Sequence, residues 1–102
     1  MLLAAPWGAA GVMAWYSRGH TCQLAGIDIF YRDIGPRTSD AVVLLHGFPS
    51  SSYDWHSILP LLHDDKRIIV FDFAGFGLSA KPQDYSYSLF EQADLVEMLL
   101  KL

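Results

Sequence analysis

Cysteine is almost absent: Cys22 is the single one in 102 residues. One thiol cannot form an internal disulfide, so nothing points to a cross-linked scaffold or an oxidising compartment. Cysteine and histidine pairs at zinc-ligand spacing are missing too, and no metal is expected. Positive charge is scarce. Seven Lys and Arg stand against 11 Asp and Glu, giving a net charge of −4. No basic cluster occurs, and phosphate backbones need a concentrated positive face, so no nucleic-acid partner is expected.

Charge of either sign is missing from Met1 to Ser17, and Arg18 is the first charged residue. Pro6, Gly8 and Gly11 interrupt this apolar run. It falls short of the roughly 20 apolar residues that a spanning helix needs. It also lacks the Lys/Arg-rich start of a secretory signal. Trp7, Trp15 and Tyr16 are residue types that favour a membrane interface. Three readings stay open: a weak membrane anchor or its remnant, an apolar arm packed on the domain, or a misplaced start codon. Residues 1–17 are therefore set apart, with a membrane surface as one candidate partner, from a domain over residues 18–102. What is present there is core-forming. The sequence is 52% hydrophobic and 14% aromatic, which excludes a disordered tail and fits one small domain.

The order of elements reads as strand, strand, then strand–helix–strand–helix. Thr21–Leu24 and Ile27–Asp33 form an expected hairpin about Ala25-Gly26, the second run alternating at close to period two. Gly35, Pro36, Thr38, Ser39 and Asp40 make a polar loop. Ala41–Leu45 is a short β-branched apolar run, suited to a strand buried on both faces of a parallel sheet. After Ser50-Ser51-Ser52, which offer caps, Trp55, Ile58, Leu59 and Leu62 have helical spacing, with Pro60 expected to shorten or bend the helix. Arg67–Phe71 is the next buried strand. Ser88-Leu89-Phe90-Glu91 is a capping box. It opens a helix expected to place Phe90, Ala93, Leu95, Val96, Leu99 and Leu100 on or near one face. The sequence reaches Leu102 inside this helix with no glycine or proline stop, which reads as the end of a fragment. A parallel unit on Ala41–Leu45 and Arg67–Phe71 puts the loops at Gly47 and at Gly75–Gly77 together at the carboxyl ends of the strands, where ligands of such sheets bind.

Two segments then carry a resemblance. Val42–Trp55, with His46-Gly47-Phe48-Pro49, resembles the oxyanion loop of α/β-hydrolases, above all epoxide hydrolases and haloalkane dehalogenases. Phe71–Pro82 resembles the D-x-x-G-x-G-x-S segment of the same families, through Asp72, Gly75, Gly77 and Ser79. Gly26–Asp33 and Tyr87–Leu100 extend the match to the mesoderm-specific transcript family and its bacterial relatives. The resemblance implies an α/β fold, here the first half of an α/β-hydrolase sheet. It implies hydrolysis of an ester, epoxide or carbon–halogen bond in a small-molecule substrate, with no cofactor.

The resemblance also assigns roles. The Phe48 backbone N–H takes the place of an oxyanion donor. Gly47 lets the backbone approach the substrate, and Pro49 sets the turn, after a cis bond in the epoxide hydrolase pattern. His46 becomes a loop anchor rather than a base. Asp72 becomes a structural acid that holds the glycine loop by its backbone N–H groups. Other readings of these residues fail. Gly77-Leu78-Ser79 is not a nucleophile elbow, because Lys81 stands where its last glycine belongs. Gly75-Phe76-Gly77 is not a dinucleotide loop, because Ala80 replaces the third glycine and Pro82 blocks a helix. His56, His63, Asp64 and Asp65 lack metal-ligand spacing. The family's nucleophile, acid and catalytic histidine have no counterpart in the 102 residues, so no turnover by this chain alone is expected. Phe48 speaks against a dehalogenase, where asparagine stands at the matching position. The alternative is a non-catalytic membrane-associated or interaction protein built on the same fold.

Overall fold

The computed structural model describes residues 9–37, 40–48, 50–62 and 66–102. The elements run α1 (Ala9–Ser17), β1 (His20–Leu24), β2 (Ile27–Ile34), β3 (Ala41–Leu44), two short 3₁₀ turns (Ser52–Trp55 and Leu59–Leu61), β4 (Arg67–Phe71) and α2 (Leu89–Leu100). The four strands form one sheet in the order β1-β2-β4-β3. β1 and β2 make the expected hairpin, with Leu24 opposite Ile27. Its two turn residues, Ala25 and Gly26, both have positive φ. That is the signature of the turn whose twist matches a hairpin. β3 and β4 are parallel, with Ala41 opposite Arg67. β2 and β4 are antiparallel, with Tyr31 opposite Phe71.

Successive strand residues point to opposite faces, and both faces are covered. On one, Ile29, Ile69 and Phe71 pack with Leu95 and Leu99 of α2. On the other, Phe30 and Val70 pack with Trp15 of α1. Each large apolar side chain buried in this way stabilises the fold by about 1.5–3 kcal/mol. Trp15 is buried, and its ring carries the Arg32 guanidinium at 4.5 Å. This stretch of the apolar amino-terminal run is therefore packed on the domain, while Trp7 lies outside the described residues. No helix among the described residues is long and apolar enough to cross a membrane.

Three local expectations need correction. β3 is not buried on both faces: Ala41 and Val42 are exposed, and Val43 and Leu44 are partly so. Its outer edge has no neighbouring strand among the described residues, and β2 and β4 are the two inner strands. The segment after Ser51 is two 3₁₀ turns and not one α-helix. Its bonds run over three residues, as from the Ile58 N–H to the Trp55 carbonyl and from the Leu61 N–H to the Ile58 carbonyl. Pro60, at the start of the second turn, bars a continuous α-helix there, since it has no N–H to donate and its ring clashes with the carbonyl four residues back. In α2 the buried face is Gln92, Leu95 and Leu99, whereas Phe90, Ala93 and Leu100 are exposed. Apolar residues surround this helix, so composition alone did not select its inner face. Ser88 does cap α2, its hydroxyl accepting the Glu91 N–H at 3.1 Å. The other half of the box differs, because the Ser88 N–H goes to the Ser86 hydroxyl.

Candidate active site

β3 and β4 end side by side, and the chain leaves both at the same edge of the sheet. The loop after β3 carries His46, Gly47 and Phe48, while Pro49 lies outside the described residues. The loop after β4 begins at Asp72. His46 joins the two. It is buried, and its Nε2 accepts the Phe73 N–H at 3.0 Å. With Nε2 accepting, the ring proton sits on Nδ1 and is donated to the Gly47 carbonyl at 2.8 Å. Both ring nitrogens are thereby engaged with backbone. The ring also stands edge-on to Phe73 and Phe76.

Asp72 is fully buried. Its Oδ1 accepts the Ser52 N–H at 2.6 Å and its Oδ2 the Leu78 N–H at 2.9 Å. One carboxylate thus ties the segment after the β3 loop to the glycine loop. Charge-assisted bonds of this kind are among the stronger ones in a protein. Gly75 and Gly77 both have positive φ. The Ser79 hydroxyl accepts the Phe30 N–H at 3.0 Å and donates to the Asp72 carbonyl at 2.7 Å. It is buried and saturated in these contacts, which is the position of a brace and not of a free nucleophile.

Phe48 is different. The residue is 85% exposed, and its ring stands edge-on to Phe76 at 5.8 Å. Its N–H has no acceptor among the described residues. The neighbouring backbone is ordered by the Ser50 N–H, which donates to the Gly47 carbonyl at 3.2 Å. Beside it lies a cleft of about 240 Å³, walled by Phe48, Phe73, Phe76, Tyr87 and Leu89, with His46 and Gln92 as polar members. Among the described residues, no Asp, Glu, Lys or Arg lines it. A larger hollow of about 560 Å³ lies against Asp33, Ala41, Arg67 and Leu99. That hollow is at the amino ends of β3 and β4, whereas ligands of such sheets bind at the carboxyl ends.

A family profile described as the alpha/beta hydrolase fold matches residues 40–102. The chain belongs to the alpha/beta hydrolase family. Among its relatives, the mesoderm-specific transcript homolog protein of Bos taurus is 50% identical over 91 residues, covering 86% of this chain and 27% of that protein. Among solved structures, the haloalkane dehalogenase DbeA from Bradyrhizobium elkani matches with a TM-score of 0.73 and 38% identity, over 81% of this chain and 28% of that one. A bacterial membrane phospholipase A matches with a TM-score of 0.80 and 26% identity, over 91% of this chain and 33% of that one. The chain thus spans about 27% of the length of the curated relative from Bos taurus.

The sheet brings His46, Gly47 and Phe48 next to Asp72, Gly75, Gly77 and Ser79. His56 is on the far side of Ser52, stacked on Tyr53 at 4.3 Å. His63, Asp64 and Asp65 lie outside the described residues. Reading the sequence missed two members of the neighbourhood. Gln92 donates from Nε2 to the Ala74 carbonyl at 3.0 Å and lines the cleft. Ser52 is fully buried, with the Trp15 indole N–H donating to its hydroxyl at 3.0 Å. Gln92 is one of several polar residues of α2, and nothing local marks it apart from Glu91 and Asp94. Nothing local marks Ser52 apart from Ser50 and Ser51.

Proposed function

We propose that this chain supplies the oxyanion loop of an α/β-hydrolase acting on an ester, epoxide or carbon–halogen bond. The observation that carries the reading is the Phe48 N–H, which has no acceptor among the described residues and stands beside an apolar cleft. In ester or epoxide hydrolysis, negative charge develops on an oxygen. A backbone N–H aimed at that oxygen stabilises the transition state by about 2.7–4 kcal/mol in measured cases. In this fold the second donor follows the nucleophile. His46 and Asp72 hold the loops that frame the donor, and neither transfers a proton. The aromatic cleft favours a small apolar substrate, and the reading calls for no cofactor.

The nucleophile, acid and base are not among these residues, so the purified 102-residue chain is expected to hydrolyse neither esters nor epoxides. Genomic sequence past the Leu102 codon tests the reading first. An in-frame nucleophile elbow and a later histidine would support it, and a stop codon would favour a non-catalytic product. In a product that carries the elbow, Phe48→Pro removes the N–H while Phe48→Ala keeps it. Phe48→Pro should lower kcat by about 10²–10³-fold, whereas Phe48→Ala should retain most of it. Equal losses in the two variants would refute a role for the backbone donor.

A further inference from the structure

The apolar amino-terminal run ends in α1, and two of its residues reach the loop that carries Phe48. The Trp15 indole N–H donates to the Ser52 hydroxyl at 3.0 Å in the buried interior. The Ser52 N–H donates in turn to Asp72 Oδ1 at 2.6 Å. The Tyr16 hydroxyl faces the same group of side chains. Burial pushes its phenol up, and the charge of the nearby Asp72 adds to that. A Cβ on Gly77 would come within 2.7 Å of this hydroxyl, so it also abuts the glycine loop. Around the polar contacts the rings lock together: Trp15 is edge-on to Tyr53 at 5.8 Å, and Tyr16 is edge-on to Phe30 at 4.7 Å.

We propose that Trp15 and Tyr16 are positioning residues for the oxyanion loop, setting the Phe48 N–H through Ser52 and Asp72. Ser52 is four positions beyond Phe48, and the Gly47–Ser50 hydrogen bond spans part of that distance. A loop held at one end only by β3 would swing. α1 and Asp72 give it a second fixed end. Donor placement matters because a donor displaced by even about 1 Å forfeits much of its effect on a transition state. The apolar character of the segment then serves two ends at once: the rings anchor α1 on Phe30 and Val70, and their polar tips hold the loop.

This inference rests on the oxyanion reading for its purpose, but its geometry is tested separately. Hydrogen exchange on the full 102-residue chain, followed by mass spectrometry, compares Trp15→Phe, Tyr16→Phe and Met13→Ala. Trp15→Phe keeps a ring and loses the donor, and Tyr16→Phe loses only the hydroxyl. Met13 is 70% exposed on α1 and is the control. Each of the first two variants should exchange about fivefold faster over residues 47–52 while the β1–β2 hairpin is unchanged. Met13→Ala should leave both regions alone. Unchanged exchange over residues 47–52 would overturn the proposal. So would an equal rise in loop and hairpin, since that marks a general loss of stability. A failure of Phe48 as a donor would show only in the Phe48→Pro and Phe48→Ala comparison, leaving the exchange result intact.

Discussion

Gly77 shows how tightly single residues are constrained beside the buried acid. Its φ is +52°, and a Cβ built there would stand 2.1 Å from Asp72 Oδ2. Asp72 cannot retreat without giving up the Ser52 and Leu78 N–H groups. Gly77→Ala should therefore destabilise the chain by about 2 kcal/mol or more, read from urea unfolding. A change below about 0.5 kcal/mol would mean that the carboxylate moves freely, contrary to its hydrogen bonds. Asp72 and the glycine loop were associated through the resemblance to the D-x-x-G-x-G-x-S segment, whose members are close along the sequence. The bond from Asp72 to Ser52 crosses 20 positions and had no such signal.

At the level of elements, β2 and β4 are tied by an ion pair as well as by their ladder. Arg67 donates from Nε to Asp33 Oδ1 at 2.9 Å and from a terminal nitrogen to Oδ2 at 2.6 Å. Arg37 joins the same carboxylate. Hydrogen bonding from Arg67 holds the Asp33 carboxyl below its usual range, against the opposing effect of partial burial, with Arg37 adding to the fall. The charged form is thus favoured in the folded state. Its contribution is complete above the ordinary carboxylate pKa of about 4 and fades as pH drops through the lowered folded value. Urea midpoints measured from pH 6 to pH 2 should show the native chain losing more stability on acidification than Asp33→Asn. Parallel curves would remove the pair from the acid response. The hairpin was legible because Ala25-Gly26 and period-two alternation agree locally. The 3₁₀ turns were not, since Trp55, Ile58, Leu59 and Leu62 have helical spacing whether or not Pro60 permits the hydrogen bonds.

Across the whole molecule, the exposed edge is β3. Val42 is 38% and Leu45 is 50% exposed, and the outer backbone groups of β3 have no partner strand among the described residues. Unpaired apolar edges invite strand addition. The purified chain is expected to self-associate, and Val42→Lys should shift its sedimentation towards the monomer. Association unaffected by this charge would place the contact elsewhere, for instance on the exposed Leu89 and Phe90 of α2.

The sequence by itself determined the hairpin, the parallel pair of strands, the cap of α2 and the loops that meet at one sheet edge. These depend on local chemistry: φ > 0 at a turn, β-branched runs, a serine before a helix, glycines after a strand. Only the tertiary structure decided which strands are inner, which face of α2 is buried and where α1 goes. β3 and β4 are alike in composition, so their order rests on β2 pairing with β4. Likewise the apolar segment before Arg18 suits a membrane or a protein core equally well. Its Trp15 and Tyr16 were assigned to the core by partners far along the chain, Phe30, Ser52 and Asp72, whose proximity no local pattern encodes.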